Sequence, residues 1–451
     1  MSVDTQQHLE TQLNDFDPAR RRAALDELIQ MADDGAIELS EPGHAVNMHC
    51  HTFYSFNGYG YSPTCFAWKA RQAGLAVAGV VDFDVLDAVE EFLEAANRLN
   101  LRAAAGLETR LFLPELSSRE INSPGEPGIT YHMGMGFPTS DVPDQAFLAE
   151  LKELAQRRTQ GLIERVNAYL APVEVDYDLD VTPWTPNGNA TERHVCQAYE
   201  AKAAEIYPSE DARAQFWAQK LKTDLSEIKR LLSDSPGLQA LIRSKTMKRG
   251  GPGYVQPDSD AFPRLNRFNR FVLEANAIPT LTWLDGTSEG EQAMDELLDL
   301  HIDAGTAALN IIPDRNWNIA DKETKKTKVA NLYDVVEKAM DRGLAVVVGT
   351  EMNAHGQRFA DDFDAEELQP VASVFREGAY IMYAHTIMQR QAGMGYLSDW
   401  AKRNYPTLSE RNAFFAQIGR TLEPQNASRL AQVGPRAASD EIYDAIHGIR
   451  A

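Results

Sequence analysis

Cysteine is scarce in this chain of 451 residues, with only Cys50, Cys65 and Cys196 present. They are too few and too scattered for a disulfide framework or a zinc ribbon, so any metal must be held by His, Asp, Glu or Asn. Long apolar runs are also missing. Nothing approaches the roughly 18 consecutive apolar residues of a membrane-spanning helix, so no membrane association is expected. The opening stretch MSVDTQQHLETQLNDFD carries no apolar core of signal-peptide type, and the expected location is cytoplasmic. Positive charge is in deficit as well: 44 Lys and Arg face 66 Asp and Glu, a net charge of -22. An acidic surface repels polyanions, which argues against general nucleic-acid binding. A small anionic substrate stays compatible, because a metal ion and a few local cations can set the field inside a pocket.

Apolar residues make up 43% of the chain, ample for one large core with an added unit. Residues 1–44 read as an N-terminal helical segment, with Asp17 capping, Pro18 in the first turn and Gly35 stopping it. From residue 45 the pattern changes. Strand-like runs at 45–51, 75–83 and 102–110 alternate with helices opened by Ser62 and Pro63 and spanning 86–100. That alternation predicts a parallel sheet with crossovers. It returns at 278–285, 307–312, 344–353 and 379–385, with helices at 288–304, 324–342 and around 365–376. The two stretches, 45–140 and 263–395, together predict a barrel of seven or eight strands. Between them, 141–262 reads as a helical insertion, and 396–451 as a helical tail.

In parallel α/β architecture, polar groups at the C-terminal ends of strands converge on one mouth. His49 and His51 close the first strand, and a period of two puts both imidazoles on one face, suited to chelating one metal. Cys50 points the other way, into the core. Asp82 and Asp84 close the second strand and Glu108 the third, with His132 following after a loop. Glu351, Asn353 and His355 again alternate after VVVGTE, and His385 ends a late strand. Arg193 and His194 sit at a helix start suited to an anion. Lys248 and Arg249 precede Gly250, Gly251 and Gly253, where backbone can approach a ligand. His8, His44, His301 and His447 read as surface or loop residues without a role.

Several of these segments resemble the PHP (polymerase and histidinol phosphatase) superfamily in order along the chain. NMHCHTFYSFNGY is similar to the opening motif H-x-H-T-x-x-S-D-G, VAGVVDFD to the motif ending T-D-H, and AAAGLET to the third, with Glu108 as its acid. GNATERHVCQAYE, KRGGPGYVQP and VVVGTEMNAHG resemble later segments of the phosphoesterases that act on nucleotide 3′-phosphates and RNA ends. The resemblance implies a distorted (β/α)7-like PHP barrel with a helical insertion. It also implies metal ligands at His49, His51, Glu108, His132 and His355. Family ligands are replaced at Phe56, Phe83, Trp283 and Asn353.

Taken ion by ion, the resemblance implies one site of His49, His51, Glu108 and Asn353. A second, around Phe56, Phe83 and His355, is lost unless Asp82 or Asp84 swings in. A third, at Glu108, His132 and Trp283, is depleted. One or two divalent ions (Zn, Mn or Fe) are therefore expected. The expected activity is metal-dependent hydrolysis of a small phosphorylated compound. His132 would hold a second ion or donate a proton, and His355 would complete the metal set. Arg193, His194, Lys248 and Arg249 would meet the phosphate, with Asp82, Asp84, Glu351 and His385 as accessory groups. Two alternatives are carried forward: a non-catalytic ligand-binding or regulatory protein on a degenerate barrel, and a one-metal hydrolase of a C–N or C–O bond.

Overall fold

Seven short apolar strands organise the computed structural model, which describes residues 3–256 and 260–448. They are β1 (Val46–Cys50), β2 (Val77–Phe83), β3 (Ala103–Phe112), β4 (Ile129–Met135), β5 (Ile278–Trp283), β6 (Ala308–Ile311) and β7 (Ala345–Val348). They pair in chain order in one sheet. The sheet curls into a nearly closed barrel, because Glu351 just past β7 bridges back to Cys50 at the end of β1. His51 N donates to Glu351 O at 2.8 Å, and Glu351 N to His49 O at 2.7 Å. The distorted seven-strand barrel anticipated from the sequence is the fold.

The chain divides into two compact units. One gathers Met1–Thr52, Asn57–Phe147 and Pro263–Ala451 and contains the whole sheet; the other is Phe53–Phe56 with Leu148–Phe262. The described residues of the second unit hold helices and no strand, packed around Val166, Tyr199, Trp217 and Ile242.

Three elements differ from the sequence expectation. The sequence expectation places no strand between β3 and β5; β4 stands there and runs antiparallel to both. Its alternation, ITYHMGM, is strand-like once a sheet flanks it on both sides. Second, β7 stops at Val348 instead of running to 353. Glu351 and Met352 take left-handed conformations (φ 61° and 52°), which break the period of two. Third, AYIMYAH (379–385) lies inside one helix, Ala372–Ala392, not in a strand. This helix is buried on most of its circumference, so its apolar run carries no clear 3.6-residue period and mimics a core strand. Gly378 lets it sit directly on β7, since a Cβ there would run into the Val346 carbonyl.

His301, read from the sequence as a surface residue, is fully buried on the helix Met294–Asp303. Its ring lies 5.0 Å from that of His132, and neither of its nitrogens has a hydrogen-bond partner. Burial pushes its pKa well below the usual imidazole value, and His132 adds to the effect. The folded state therefore requires a neutral ring, while the unfolded chain takes up a proton near pH 6.5. Stability is complete above that pH and falls as the solution is acidified, by up to about 1.4 kcal/mol per pH unit for each such ring. Glu291 and Asp361, which burial pushes up to about 7, act in the opposite sense and lose stability as pH rises towards 7. Comparing His301→Leu with the parent cancels those shared terms. We expect denaturant unfolding from pH 8 to pH 4.5 to show a shallower acid loss in the variant. Parallel curves would refute this reading of His301.

Candidate metal centre

A register shift aims the two histidines. β1 pairs with β2 as Asn47↔Ala78 and then Cys50↔Val80, so one extra residue on β1 is absorbed between them. Such a bulge rotates the residues that follow it. Beyond it, His49 and His51 share a face with Phe83 of β2 and Glu108 of β3, which are themselves register partners. Cys50 faces the other way and is buried, as read from the sequence.

The three polar groups converge. His49 Nε2 and His51 Nε2 are 3.2 Å apart, and Glu108 Oε2 lies 3.4 Å from the first and 3.2 Å from the second. All three side chains are buried. Among the described residues this is the one cluster of His, Cys, Asp and Glu with the spacing of a metal site. Ligand atoms on an ion with tetrahedral bonds of about 2.0–2.2 Å stand about 3.3–3.6 Å apart, so the triad fits a divalent ion without rearrangement. Two imidazoles and a carboxylate suit zinc, manganese or iron.

The electrostatics agree. Burial opposes ionisation of Glu108, but His49 and then His51 outweigh it and hold the carboxyl down at about 2. Burial likewise opposes a charged His49, yet Glu108 and, behind it, Glu351 raise its pKa above the usual value. The pocket thus favours positive charge beside Glu108. His49 is held from its other side: Asn310 Nδ2 lies 3.0 Å from Nδ1. Asn310 was not singled out from the sequence. The available signal was a lone amide in the apolar strand AALNII.

The remaining candidates fall elsewhere. His132 pairs across β4 with Thr109, while Glu108 pairs with Met133, so the antiparallel register turns His132 to the opposite face. There its Nε2 meets Asn269 Oδ1 at 2.7 Å, and burial pushes its pKa down to about 4. The expected role of His132 as metal ligand or proton donor is therefore corrected. Trp283 lies on that same outer face, since it alternates with Leu281, the register partner of His132. Asp82 takes the face opposite Phe83 and accepts from Thr52 N at 2.7 Å and Thr52 Oγ1 at 2.6 Å. Asp84, left-handed at φ 62°, accepts from Thr109 Oγ1 at 2.6 Å. Both aspartates fasten loops. In place of a swung-in aspartate, the Phe83 ring stacks on His51, with centroids 4.2 Å apart.

After β7, the left-handed turn sends the chain away from strand geometry. Glu351 accepts from Arg315 Nη2 at 3.1 Å and Gln357 Nε2 at 3.0 Å. Asn353 is half-buried and His355 is exposed, its ring 5.3 Å from Tyr59. His355 is not part of the cluster, contrary to expectation. His385 lies on the helix Ala372–Ala392. Its Nε2 meets Gly136 O at 3.0 Å and its Nδ1 accepts from Tyr396 N at 2.9 Å, so both nitrogens serve the fold.

In the second unit, His194 accepts from Thr191 N through Nδ1 at 3.1 Å and so caps the helix Glu192–Ile206. It meets Phe56 edge-on, and burial pushes its pKa down to about 3. Arg193 is on the same first turn. Lys248 is exposed and ion-paired to Glu192 at 2.7 Å, and Arg249 is exposed beside it. Gly251 and Gly253 fold back on their own helix end, Gly253 N donating to Thr246 O at 2.8 Å, which accounts for the glycines without a ligand. Pro257, the end of that motif, lies outside the described residues.

No family model matches the chain, and no curated protein does. Among solved structures it is similar to an amidohydrolase from Chromobacterium violaceum with bound sulfate and no metal. The identity is 15%, covering 70% of this chain and 91% of that one, with a TM-score of 0.48. It is also similar to a protein from Bifidobacterium adolescentis described as a metal-dependent phosphoesterase. There the identity is 15%, the coverage 74% of this chain and 98% of that one, and the TM-score 0.46. No helix among the described residues is long and apolar enough to cross a membrane.

Proposed function

We propose that the protein is a metal-dependent hydrolase acting on a small phosphorylated compound, with one divalent ion held by His49, His51 and Glu108. The observation that carries this reading is the buried triad at metal-ligand spacing, whose own carboxylate, Glu108, is held ionised. A divalent ion there supplies Lewis acidity and activates water at neutral pH. The chain's own residues do the rest. Glu108 balances the ion's charge, and the Phe83 ring covers one face of His51 and excludes solvent from it. Arg315, on the short helix Asp314–Trp317 after β6, reaches Glu351 next to the cluster and stays half-exposed. It is the cation we assign to the substrate's negative group, in a part of the chain not weighed from the sequence.

A second reading draws on Phe83. A phenyl ring stacked on a ligand histidine makes the site less polar than one built for a phosphate among several ions. That favours a one-metal hydrolase of a C–N or C–O bond, or a barrel that binds without turnover. A substrate panel separates them. Protein loaded with one equivalent of zinc, manganese or iron should release phosphate from phosphomonoesters, and Glu108→Gln should abolish the release. Turnover of esters or amides lacking phosphate, with none of phosphomonoesters, would replace our reading by the C–N or C–O one. Tight ion binding with no turnover at all would favour the binding protein.

A further inference from the structure

Two aromatic rings adjoin the triad on its own face of the sheet. Phe83 is the register partner of Glu108, and Tyr131 is that of Arg110, two residues further along β3, so all four share one face. β2 and β4 are buried along their length except at Phe83 and Tyr131, which are partly exposed. A single exposed ring is ordinary on a protein surface; two that adjoin beside a buried polar cluster are not explained by core packing. Their centroids lie 6.2 Å apart, with the planes inclined at 46°. His51 stacks on Phe83 at 4.2 Å, so the rings begin at the triad itself.

The charges nearby are placed to match. Arg110 Nη1 is 2.8 Å from Glu126 Oε2, which balances the one cation on the face between the rings. Arg315 stays half-exposed, and its pKa is raised by Glu351 against burial, with Tyr131 adding to the effect. A phosphate held at the triad and Arg315 leaves its ester group to lie against Phe83 and Tyr131. Aromatic rings favour offset or edge contacts with centroids about 4.5–7 Å apart, a range the pair itself adopts. The leaving group agrees. His132, the expected proton donor, faces away from the triad. A phenolate, whose acid has a pKa of about 10, departs with less need of a donor than an alkoxide.

We propose that Phe83 and Tyr131 form a shelf for the aromatic ring of an aryl phosphate and so select the substrate. The inference rests on the metal-dependent phosphoesterase reading of the triad. Hydrolysis forms a bond from the water oxygen to phosphorus, breaks the bond from phosphorus to the aryl oxygen, and passes one proton from water to the departing phenolate.

Phosphonates, which bind without turnover, are the probes. Zinc-loaded protein is titrated by calorimetry with phenyl-, cyclohexyl- and methylphosphonate. Phenylphosphonate should bind roughly 10–100-fold tighter than methylphosphonate, from the apolar area it buries. It should bind about 2–10-fold tighter than cyclohexylphosphonate, which has similar bulk and no π face. Tyr131→Leu should at least halve that phenyl-to-cyclohexyl ratio, and Tyr131→Phe should keep it. A crystal of the zinc-loaded wild type with phenylphosphonate should place the ligand ring within about 7 Å of both the Phe83 and Tyr131 centroids. Equal affinity for phenyl- and cyclohexylphosphonate in wild type, an unchanged ratio in Tyr131→Leu, or a ligand ring bound elsewhere overturns the shelf and leaves the metal site standing. A wild type that takes up zinc and none of the phosphonates overturns the phosphate reading, and the shelf with it. One that takes up no zinc overturns the metal reading itself and the proposal built on it. The affinity ratio and the crystal need only wild type, so a poorly folding variant does not decide the matter.

Discussion

Gly349→Ala will unseat His49 and, with it, the metal centre. Gly349 follows β7, where the chain crosses β1 to close the barrel. A Cβ there would collide with His49 N and stand 2.5 Å from His49 Cβ and 2.6 Å from Asn47 Oδ1. None of these atoms can yield cheaply. His49 N donates to Asn47 Oδ1 at 3.1 Å, and Asn47 Nδ2 in turn donates to Thr350 Oγ1 at 2.9 Å and Phe359 O at 2.7 Å. One methyl group therefore presses on the hydrogen bonds that join the two ends of the sheet. Overpacking of this kind costs about 1–3 kcal/mol and occasionally more; we expect the upper end, because backbone is struck. Because the displaced residue is a ligand, zinc affinity should fall more than 100-fold, beyond the roughly 10–100-fold typical of outer partners. Gly434→Ala serves as the control. A Cβ at Gly434 meets nothing, so stability should stay within about 0.5 kcal/mol. Denaturant midpoints and zinc titrations of the two variants check both statements. Parental stability and affinity in Gly349→Ala would show that β7 and β1 do not meet in the way described.

The barrel was legible because most strands are short apolar runs between good helices, and local signals of both kinds agree there. His49, His51 and Glu108 stood out as polar groups at the ends of such runs. Even so, the period of two explains their shared face only in part, since it takes the register shift before Cys50 to turn that face towards Glu108. Where the reading failed, long-range pairing decided the outcome. His132 lies one residue from Met133, which does face Glu108, and nothing local marks β4 as antiparallel. Asp82 and Asp84 look like ligands in a list of strand-end acids, yet each is consumed by a threonine remote in sequence. The resemblance implies His355 as a ligand and alternation groups it with Glu351 and Asn353, in a segment where two left-handed residues abolish alternation. The helix Ala372–Ala392 was divided into helix and strand because a helix buried on most sides looks apolar throughout. Asn310 carries no assignment from the sequence, and His301 reads there as a surface residue, for the opposite reason. One polar residue in an apolar strand, and one histidine on a charged helix, gain meaning only when their neighbours are known.

The effect expected to be largest is also the most direct test of the account. His49→Ala with His51→Ala removes two of three ligand atoms and leaves Glu108, whose carboxylate both histidines hold ionised, buried and uncompensated. A single carboxylate does not hold a divalent ion in a buried site against water. In the parent, zinc at 100 times its dissociation constant should add about 2.7 kcal/mol to unfolding free energy; in the double variant it should add nothing. The deciding measurement is elemental analysis of both proteins, purified without chelator and then equilibrated with equal zinc, manganese and iron. The account predicts about one ion per chain in the parent and none in the double variant. Full metal content in the double variant, or a parent that stays free of metal after equilibration, would contradict it.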